Sequence, residues 1–325
     1  MSDDRAKSYH GFGCGKVILL GEYAVIRGHG ALAIGLDRGI GAWVRPGTGR
    51  IRVPQWTIDA RPDDPSDLSR GLRVILETLR SGSVDLHLEA HLPAGAGLGS
   101  SAAFSVAVAR AVATRCGASD DLVARAVDAA ERLFHGSASG VDAAAALNGG
   151  AGWYVRGSGW QRLRLSRPIA LCIGLSGRRH RTRDQVARVL GRIDSVPSAS
   201  ATLDKLGALS VDGRAAFVAA DWERLGALLD RAQEILNGLG VSTREIQEMV
   251  ELARASGAHG AKLTGAGGGG AVIALPSASP APIVNTWSKA GYECFVEIVG
   301  RASSDLSDAP ATPARVASTL SNGHG

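Results

Sequence analysis

The stretch Pro93-Ala94-Gly95-Ala96-Gly97-Leu98-Gly99-Ser100-Ser101-Ala102-Ala103 sets three glycines and two serines directly ahead of FSVAVARAV, an apolar run that reads as a helix. Glycine lets a backbone turn tightly but loses the most entropy on folding, so a cluster of glycines implies that something approaches the main chain closely. Backbone N–H groups converging at a helix N-terminus form an anion site, reinforced by the helix dipole. Phosphate suits such a loop. Ser100 can be the N-cap, but capping needs one serine and no glycine cluster. The second hydroxyl, Ser101, is then free to reach a metal ion.

Three charged residues stand beside this loop as candidates. Over residues 120–134 the apolar stripe Val123, Ala126, Val127, Ala130 and Phe134 opposes Arg125, Asp128 and Arg132. Glu131 lies one turn after Val127 and continues the apolar side. A carboxylate there is paired, binds a cation, or reaches water at the margin of the stripe, because burying it alone is costly. Asp142, in Ser139-Gly140-Val141-Asp142, has the spacing of a capping box with Asp in place of Glu. It is equally a carboxylate held at a glycine turn and aimed at a reacting hydroxyl. Lys16 is either a strand-end cation or a charge partner for that chemistry.

Two familiar nucleotide fingerprints are excluded by context. Gly15-Lys16 is followed by Val17 and a strand, not by Ser or Thr and a helix. Gly265, Gly267 and Gly270 satisfy G-x-G-x-x-G, but that motif needs a helix after it and AVIAL reads as a strand.

The elements that must position these residues follow from periodicity. Strands are predicted at 16–20, 31–36, 41–45, 84–90, 149–155, 169–175, 261–264, 271–275 and 294–299; residues 84–90 alternate with period two. Helices are predicted at 67–80, from the glycine cluster to Cys116, and at 120–134, 221–236 and 283–290. A further helix opens at a Ser242–Glu245 capping box and ends before Gly257. Thr182–Gln185 reads as another capping box. The mixture predicts an α+β fold, with a boundary at Gly157-Ser158-Gly159 and a disordered tail from Ala302.

Hydrophobic residues make up 45% of the 325-residue chain and charged ones 21%, the balance of a water-soluble globular protein. MSDDRAKSYHGFG lacks the apolar core of a signal peptide and no run reaches membrane-spanning length, which predicts a cytoplasmic protein without membrane partners. Four well-separated cysteines predict neither a disulfide framework nor a zinc site. The net charge of +5 gathers partly in Arg178-Arg179-His180-Arg181-Thr182-Arg183, yet aromatics are only 5% and none interleave with it. Without a stacking platform for bases, a small anionic substrate is expected there rather than nucleic acid. A homodimer stays open as the assembly.

Taken together, these residues resemble the GHMP kinase superfamily, and the mevalonate kinase branch most closely. GKVILLGEYAVIRGHGALAIGL resembles its amino-terminal motif, PAGAGLGSSAAFSVAVARA its phosphate loop, FHGSASGVDAAAA its catalytic-aspartate segment, and LGVSTREIQEMVELARASGAHGAKLTGAGGGGAVIAL its carboxy-terminal signature. The resemblance implies a two-domain α+β GHMP fold with the active site in the cleft, divided as 1–157, 158–302 and a tail over 303–325. It implies ATP and Mg²⁺ as cofactors and a small anionic alcohol as acceptor. Pro93, Gly95, Gly97, Leu98, Gly99, Ser100, Ser101 and Ala102 would bind the nucleotide. Ser101 and Glu131 would hold Mg²⁺, and Asp142 with Lys16 would be catalytic. Glu22, Tyr23, Thr264, Gly265 and Ala266 would meet the substrate. Three departures from the family pattern stand out: Gly13-Cys14-Gly15 replaces Ala-Pro-Gly, Gly21-Glu22-Tyr23 replaces Gly-Glu-His, and Leu175-Ser176-Gly177 replaces Asp-Thr-Gly. The last two, with the arginines, would also suit a phosphorylated acceptor such as phosphomevalonate.

Overall fold

The computed structural model describes residues 8–136, 139–178, 182–195 and 197–300. The expected disordered tail lies outside them, as do Arg179, His180 and Arg181 and the side chains of Thr182 and Arg183, where a capping box was expected.

Two sheets organise the chain. The larger runs in the order β4 (Ile58–Ala60), β3 (Ile51–Val53), β5 (Val84–Ala90), β2 (Ala31–Pro46), β6 (Gly150–Val155), β7 (Gly159–Arg162), with β1 (Tyr9–Leu20) also paired to β2. The β3–β5 pair is parallel and the others are antiparallel. Against this sheet lie α2 (Ser100–Cys116) and α4 (Val141–Asn148), and α1 (Asp67–Thr78) and α3 (Asp120–His135) pack on α2. The smaller antiparallel sheet has the order β11 (Cys294–Val299), β8 (Ile169–Leu175), β10 (Ala271–Pro276), β9 (Ala258–Thr264). Its helices are α7 (Trp222–Gly238), α8 (Arg244–Ala255) and α9 (Ala281–Lys289), while α5 (Thr182–Ser195) and α6 (Pro197–Val218) run between β8 and α7.

The α+β class expected from sequence is the one observed, with instructive differences. The turn at Gly157–Gly159 is not a boundary between sheets. It closes the β6–β7 hairpin, so the larger sheet continues to Arg162. The two strands expected at 31–36 and 41–45 are one strand, β2. Asp37 and Arg38, between the two expected strands, meet the smaller sheet. The Asp37 N–H donates to Glu297 Oε1 at 2.6 Å, and the Arg38 guanidinium stacks on Phe295 at 4.4 Å. Helix α6 was not anticipated, because its serines and glycines blur the apolar period. Two of those small residues are close-approach points: a Cβ on Gly207 would meet His29 and one on Gly213 would meet Leu20. The α8 capping box also shifts by one residue, since Thr243 rather than Ser242 accepts from the backbone, at Ile246.

Helix α2 is apolar on nearly every side and is buried on nearly every side, from Ala102 to Ala113, as such a helix must be. Strand β1 lies directly on it. A Cβ at Gly13 would sit 2.2 Å from the Ala103 carbonyl oxygen, and one at Gly11 2.2 Å from that of Ala107. Only glycine allows this approach, which sets the height of β1 above the helix that follows the glycine loop. Replacing Gly13 by Val should therefore destabilise the protein by about 1–3 kcal/mol or more, as forced overpacking does. Urea denaturation measures this; a midpoint like that of the wild type would remove Gly13 as a packing constraint.

Candidate active site

Lys16 is placed by a slip in the β1–β2 ladder. Cys14 pairs with Gly39, but Lys16 pairs with Gly35, so the register jumps across Gly15. Such irregularities re-aim the next side chain. The Lys16 side chain is buried, at 4% exposure, and its backbone N–H donates to the Leu98 carbonyl at 2.9 Å, pinning the glycine loop to β1. Gly99 closes over it: its φ is +73°, and a Cβ there would lie 2.7 Å from Lys16 Cγ. Gly99, not Ser100, occupies the N-cap of α2, which leaves Ser100 as the first helical residue.

The loop lines a cavity of about 620 Å³. Gly95, Gly97, Gly99, Ser100 and Ser101 form one side; Trp56, Ile58 and Leu68 offer apolar surface, and Lys16, His135 and Asp142 also line it. Pro93, Leu98 and Ala102, expected at the nucleotide, are not in its lining; Leu98 and Ala102 are buried in the core.

Asp142 stands in the first turn of α4 with Oδ1 3.2 Å from Lys16 Nζ. The alternative of a Ser139–Asp142 capping box does not hold: Gly140 is the N-cap, and Ser139 Oγ accepts from the Val141 N–H at 3.4 Å, not from Asp142. The turn ahead of Asp142 is fixed instead by Tyr154, whose hydroxyl donates to the Ser139 carbonyl at 3.0 Å.

Glu131 is 3% exposed on the apolar face of α3, as its position in the stripe suggested. Burial first, and the nearby Asp142 charge second, push its carboxyl up to about 8. Ser105 Oγ donates to its Oε1 at 3.3 Å and also to the Ser101 carbonyl at 2.9 Å. His135 joins the group without having been singled out. Its Nε2 is hydrogen-bonded to Ser101 Oγ at 2.8 Å and lies 3.7 Å from Glu131 Oε2, while burial holds the ring below its ordinary value. Its i,i+4 spacing from Glu131 on one helix was the available signal. Among the described residues no cluster of three or more His, Cys, Asp or Glu could hold a metal alone. One under-compensated carboxylate and a neighbouring hydroxyl do suit a hard cation that takes its other ligands from phosphate and water.

A second cavity, of about 300 Å³, shares Lys16, His135, Asp142, Gly265 and Ala266 with the first. Its walls include Ile18, Val25, Ile26, Val141, Val186 and Leu190, with Glu22 and Tyr23. Tyr23, at φ +62°, donates its hydroxyl to the Ala266 carbonyl, which draws the two sheets together at the cavity. Thr264 lines neither cavity. Its Oγ1 accepts from Ile18 N–H at 2.8 Å and donates to the Ile18 carbonyl at 3.1 Å, so it joins β1 to β9 instead of meeting a ligand. Glu22 is paired with Lys262, which sequence reasoning passed over; burial raises the Glu22 carboxyl and lowers the Lys262 amine while each partner's charge opposes it. Arg178, expected near an anionic acceptor, lines neither cavity, and its guanidinium is 2.8 Å from Glu245 at the start of α8.

Comparison with known proteins agrees with this geometry. Residues 68–150 match the GHMP kinases N terminal domain and residues 214–293 match the GHMP kinases C terminal family. The mevalonate kinase of Aeropyrum pernix is 36% identical over 281 residues, covering 80% of this chain and 86% of that one. The crystal structure of L. major mevalonate kinase in complex with R-mevalonate superposes with a TM-score of 0.78 at 25% identity, over 92% of this chain and 99% of that one. Streptococcus pneumoniae phosphomevalonate kinase, solved with phosphomevalonate and AMPPNP, shares the fold at a TM-score of 0.75 and 18% identity, over 89% and 99%.

The environment of Glu131 generates a pH test. Its folded pKa of about 8 lies above the ordinary value of 4.5. The protonated carboxyl therefore stabilises the fold at pH below 4.5, and that contribution is lost as pH rises towards 8. In metal-free buffer, Glu131→Gln should gain little over the wild type at pH 5 and on the order of 2–4 kcal/mol at pH 8. Denaturant titrations at the two pH values read the difference; equal gains at both would mean that the Glu131 carboxylate is adequately compensated without a cation.

Proposed function

This chain belongs to the GHMP kinases, and we propose that it uses ATP to phosphorylate the primary hydroxyl of mevalonate. The observation that carries this reading is the Lys16–Asp142 pair, lying where a glycine-lined cavity meets an apolar-walled one. Phosphoryl transfer requires mainly that the reacting groups be positioned and the charge on the phosphoryl oxygens be offset. The N–H groups of the Gly95–Ser101 loop and the N-terminus of α2 cradle the phosphates. Asp142 orients the acceptor hydroxyl and takes its proton as the new O–P bond forms and the bond from the γ-phosphorus to ADP breaks. Lys16 stabilises the oxygen charge that develops between them. Ser101 and Glu131 would hold Mg²⁺, whose contribution when bound is to neutralise phosphate charge.

Charge in the second cavity favours mevalonate over its phosphorylated product. Among the described lining residues, Lys16 is the one Lys or Arg, and Asp142 already engages it at 3.2 Å. Arg178 is engaged by Glu245. Such a wall suits an acceptor with hydroxyls and a branched hydrocarbon body better than one carrying a doubly charged phosphate. Ile18, Val25, Ile26 and Leu190 supply the apolar contact.

Coupled detection of ADP across mevalonate, phosphomevalonate and galactose tests the proposal. Turnover on mevalonate with little on the other two is the expected result; a preference for phosphomevalonate would overturn the acceptor assignment and leave the transfer machinery in place. Asp142→Asn keeps the shape of the turn and loses the proton acceptor. It should lower kcat by about 10²–10⁴-fold with ATP affinity retained. Near-normal turnover would take Asp142 out of the mechanism.

A further inference from the structure

Helices α2 and α3 meet through four polar side chains that form a closed square. Ser101 and Ser105 stand one turn apart on α2, and Glu131 and His135 one turn apart on α3. Between the helices, Ser101 Oγ and His135 Nε2 are 2.8 Å apart, and Ser105 Oγ donates to Glu131 Oε1 at 3.3 Å. Along the helices, Ser105 Oγ also donates to the Ser101 carbonyl at 2.9 Å, and His135 Nε2 lies 3.7 Å from Glu131 Oε2. Ser101 and Glu131, the two residues suited to a cation, occupy one diagonal. Ser105 and His135 occupy the other, and each reaches both of them. Ser105 is fully buried, whereas His135 lines both cavities. A serine that gives a lone pair to a cation must direct its O–H proton to some acceptor. The imidazole Nε2 is the partner that the structure gives it.

We propose that His135 is a positioning residue for the metal centre: its Nε2 accepts the Ser101 hydroxyl proton, which turns the Oγ lone pairs toward the ion shared with Glu131. The proposal rests on the reading of Ser101 and Glu131 as the residues that hold Mg²⁺. Ser105 serves Glu131 in the same way, engaging Oε1 and leaving Oε2, beside His135, for the ion. Partners behind the ligands govern metal affinity because they fix the ligands' orientation before the ion arrives. A hydroxyl gains most from this, since its proton is otherwise free to rotate. The affinity of the centre for its ion therefore depends on a ring that does not coordinate it.

Calorimetric titration of the full chain with Mn²⁺·ADP, and with ADP in EDTA, tests this without turnover. His135→Phe keeps a ring and removes the nitrogen. It should weaken Mn²⁺·ADP binding by about ten- to a hundredfold, while ADP affinity in EDTA stays at the wild-type value. His135→Gln, whose amide oxygen accepts a hydrogen bond, should bind Mn²⁺·ADP within about threefold of the wild type. Thermal unfolding in EDTA establishes that the variants are folded; if His135→Phe is not, His135→Ala is read in its place. A folded variant without the nitrogen that binds Mn²⁺·ADP like the wild type overturns the proposal. Equal losses in His135→Phe and His135→Gln overturn it too, because the packing of the ring would then be the cause. So does a directly bonded ¹⁴N coupling in the electron spin echo spectrum of wild-type Mn²⁺·ADP, which would make His135 a ligand. A wild type that binds Mn²⁺·ADP no better than ADP in EDTA overturns the metal reading and the proposal with it.

Discussion

A buried ammonium is the constraint on which the rest of the cleft depends. Placing Lys16 at 4% exposure costs several kcal/mol unless a counter-charge is close, and Asp142 answers it at 3.2 Å. The pair is not a local contact, because the two residues belong to β1 and α4, more than a hundred positions apart in the chain. To bring them together, β1 must lie close on α2, slip its register at Gly15, and leave room above the lysine stem where Gly99 has no side chain. Gly265 approaches from the smaller sheet, where a Cβ would stand 3.5 Å from Lys16 Nζ. The glycine loop and the ladder irregularity thus serve one buried cation.

The same physics explains which features were legible in the sequence. Long periodic elements were plain: β5, α2 and α3 lie within a residue or so of where alternation and the apolar stripes put them. The glycine–serine loop and Glu131 on its apolar face could be picked out because each departs from a local rule, whereas Asp142 fitted a capping box and gained its role through the resemblance. A carboxylate on a buried stripe or a glycine cluster before a helix has no ordinary structural use. Residues whose role exists only across the fold left weaker traces. Lys262 looked like one polar residue in a short strand, and its partner lies 240 positions away. Thr264 was marked through the resemblance, yet its hydroxyl is occupied by the backbone of β1. The strand was expected in two pieces around Asp37 and Arg38, whose contacts with Glu297 and the Phe295 ring on the smaller sheet could not be seen from β2 alone.

The polar contacts between the sheets share a pattern. Thr264 with Ile18, Tyr23 with Ala266, Lys262 with Glu22 and Glu297 with Asp37 all join β1, β2 or the turn after β1 to the smaller sheet. Hydrogen bonds are directional where apolar packing is not, so a seam made this way fixes register as well as proximity. Catalysis by positioning needs that kind of precision, because a displacement of about 1 Å can cost a hundredfold in rate.

That seam also accounts for the unequal character of the two cavities. In the cavity proposed for the nucleotide, backbone N–H groups and a helix end can meet any polyphosphate, and the selectivity they provide is for charge. In the cavity proposed for the acceptor, the wall is built from residues of both sheets and of α5, with Glu22, Tyr23 and Ala266 held by partners across the seam. Substrate discrimination falls to groups that are buried and fixed before binding, because only such groups impose a full penalty on a poorly matched ligand. A fold can therefore keep its phosphate loop and its Lys–Asp pair while the acceptor changes, provided the change is made at the seam. The frame shared with both a mevalonate and a phosphomevalonate kinase is what such a division of labour allows, because the frame need not change when the acceptor does.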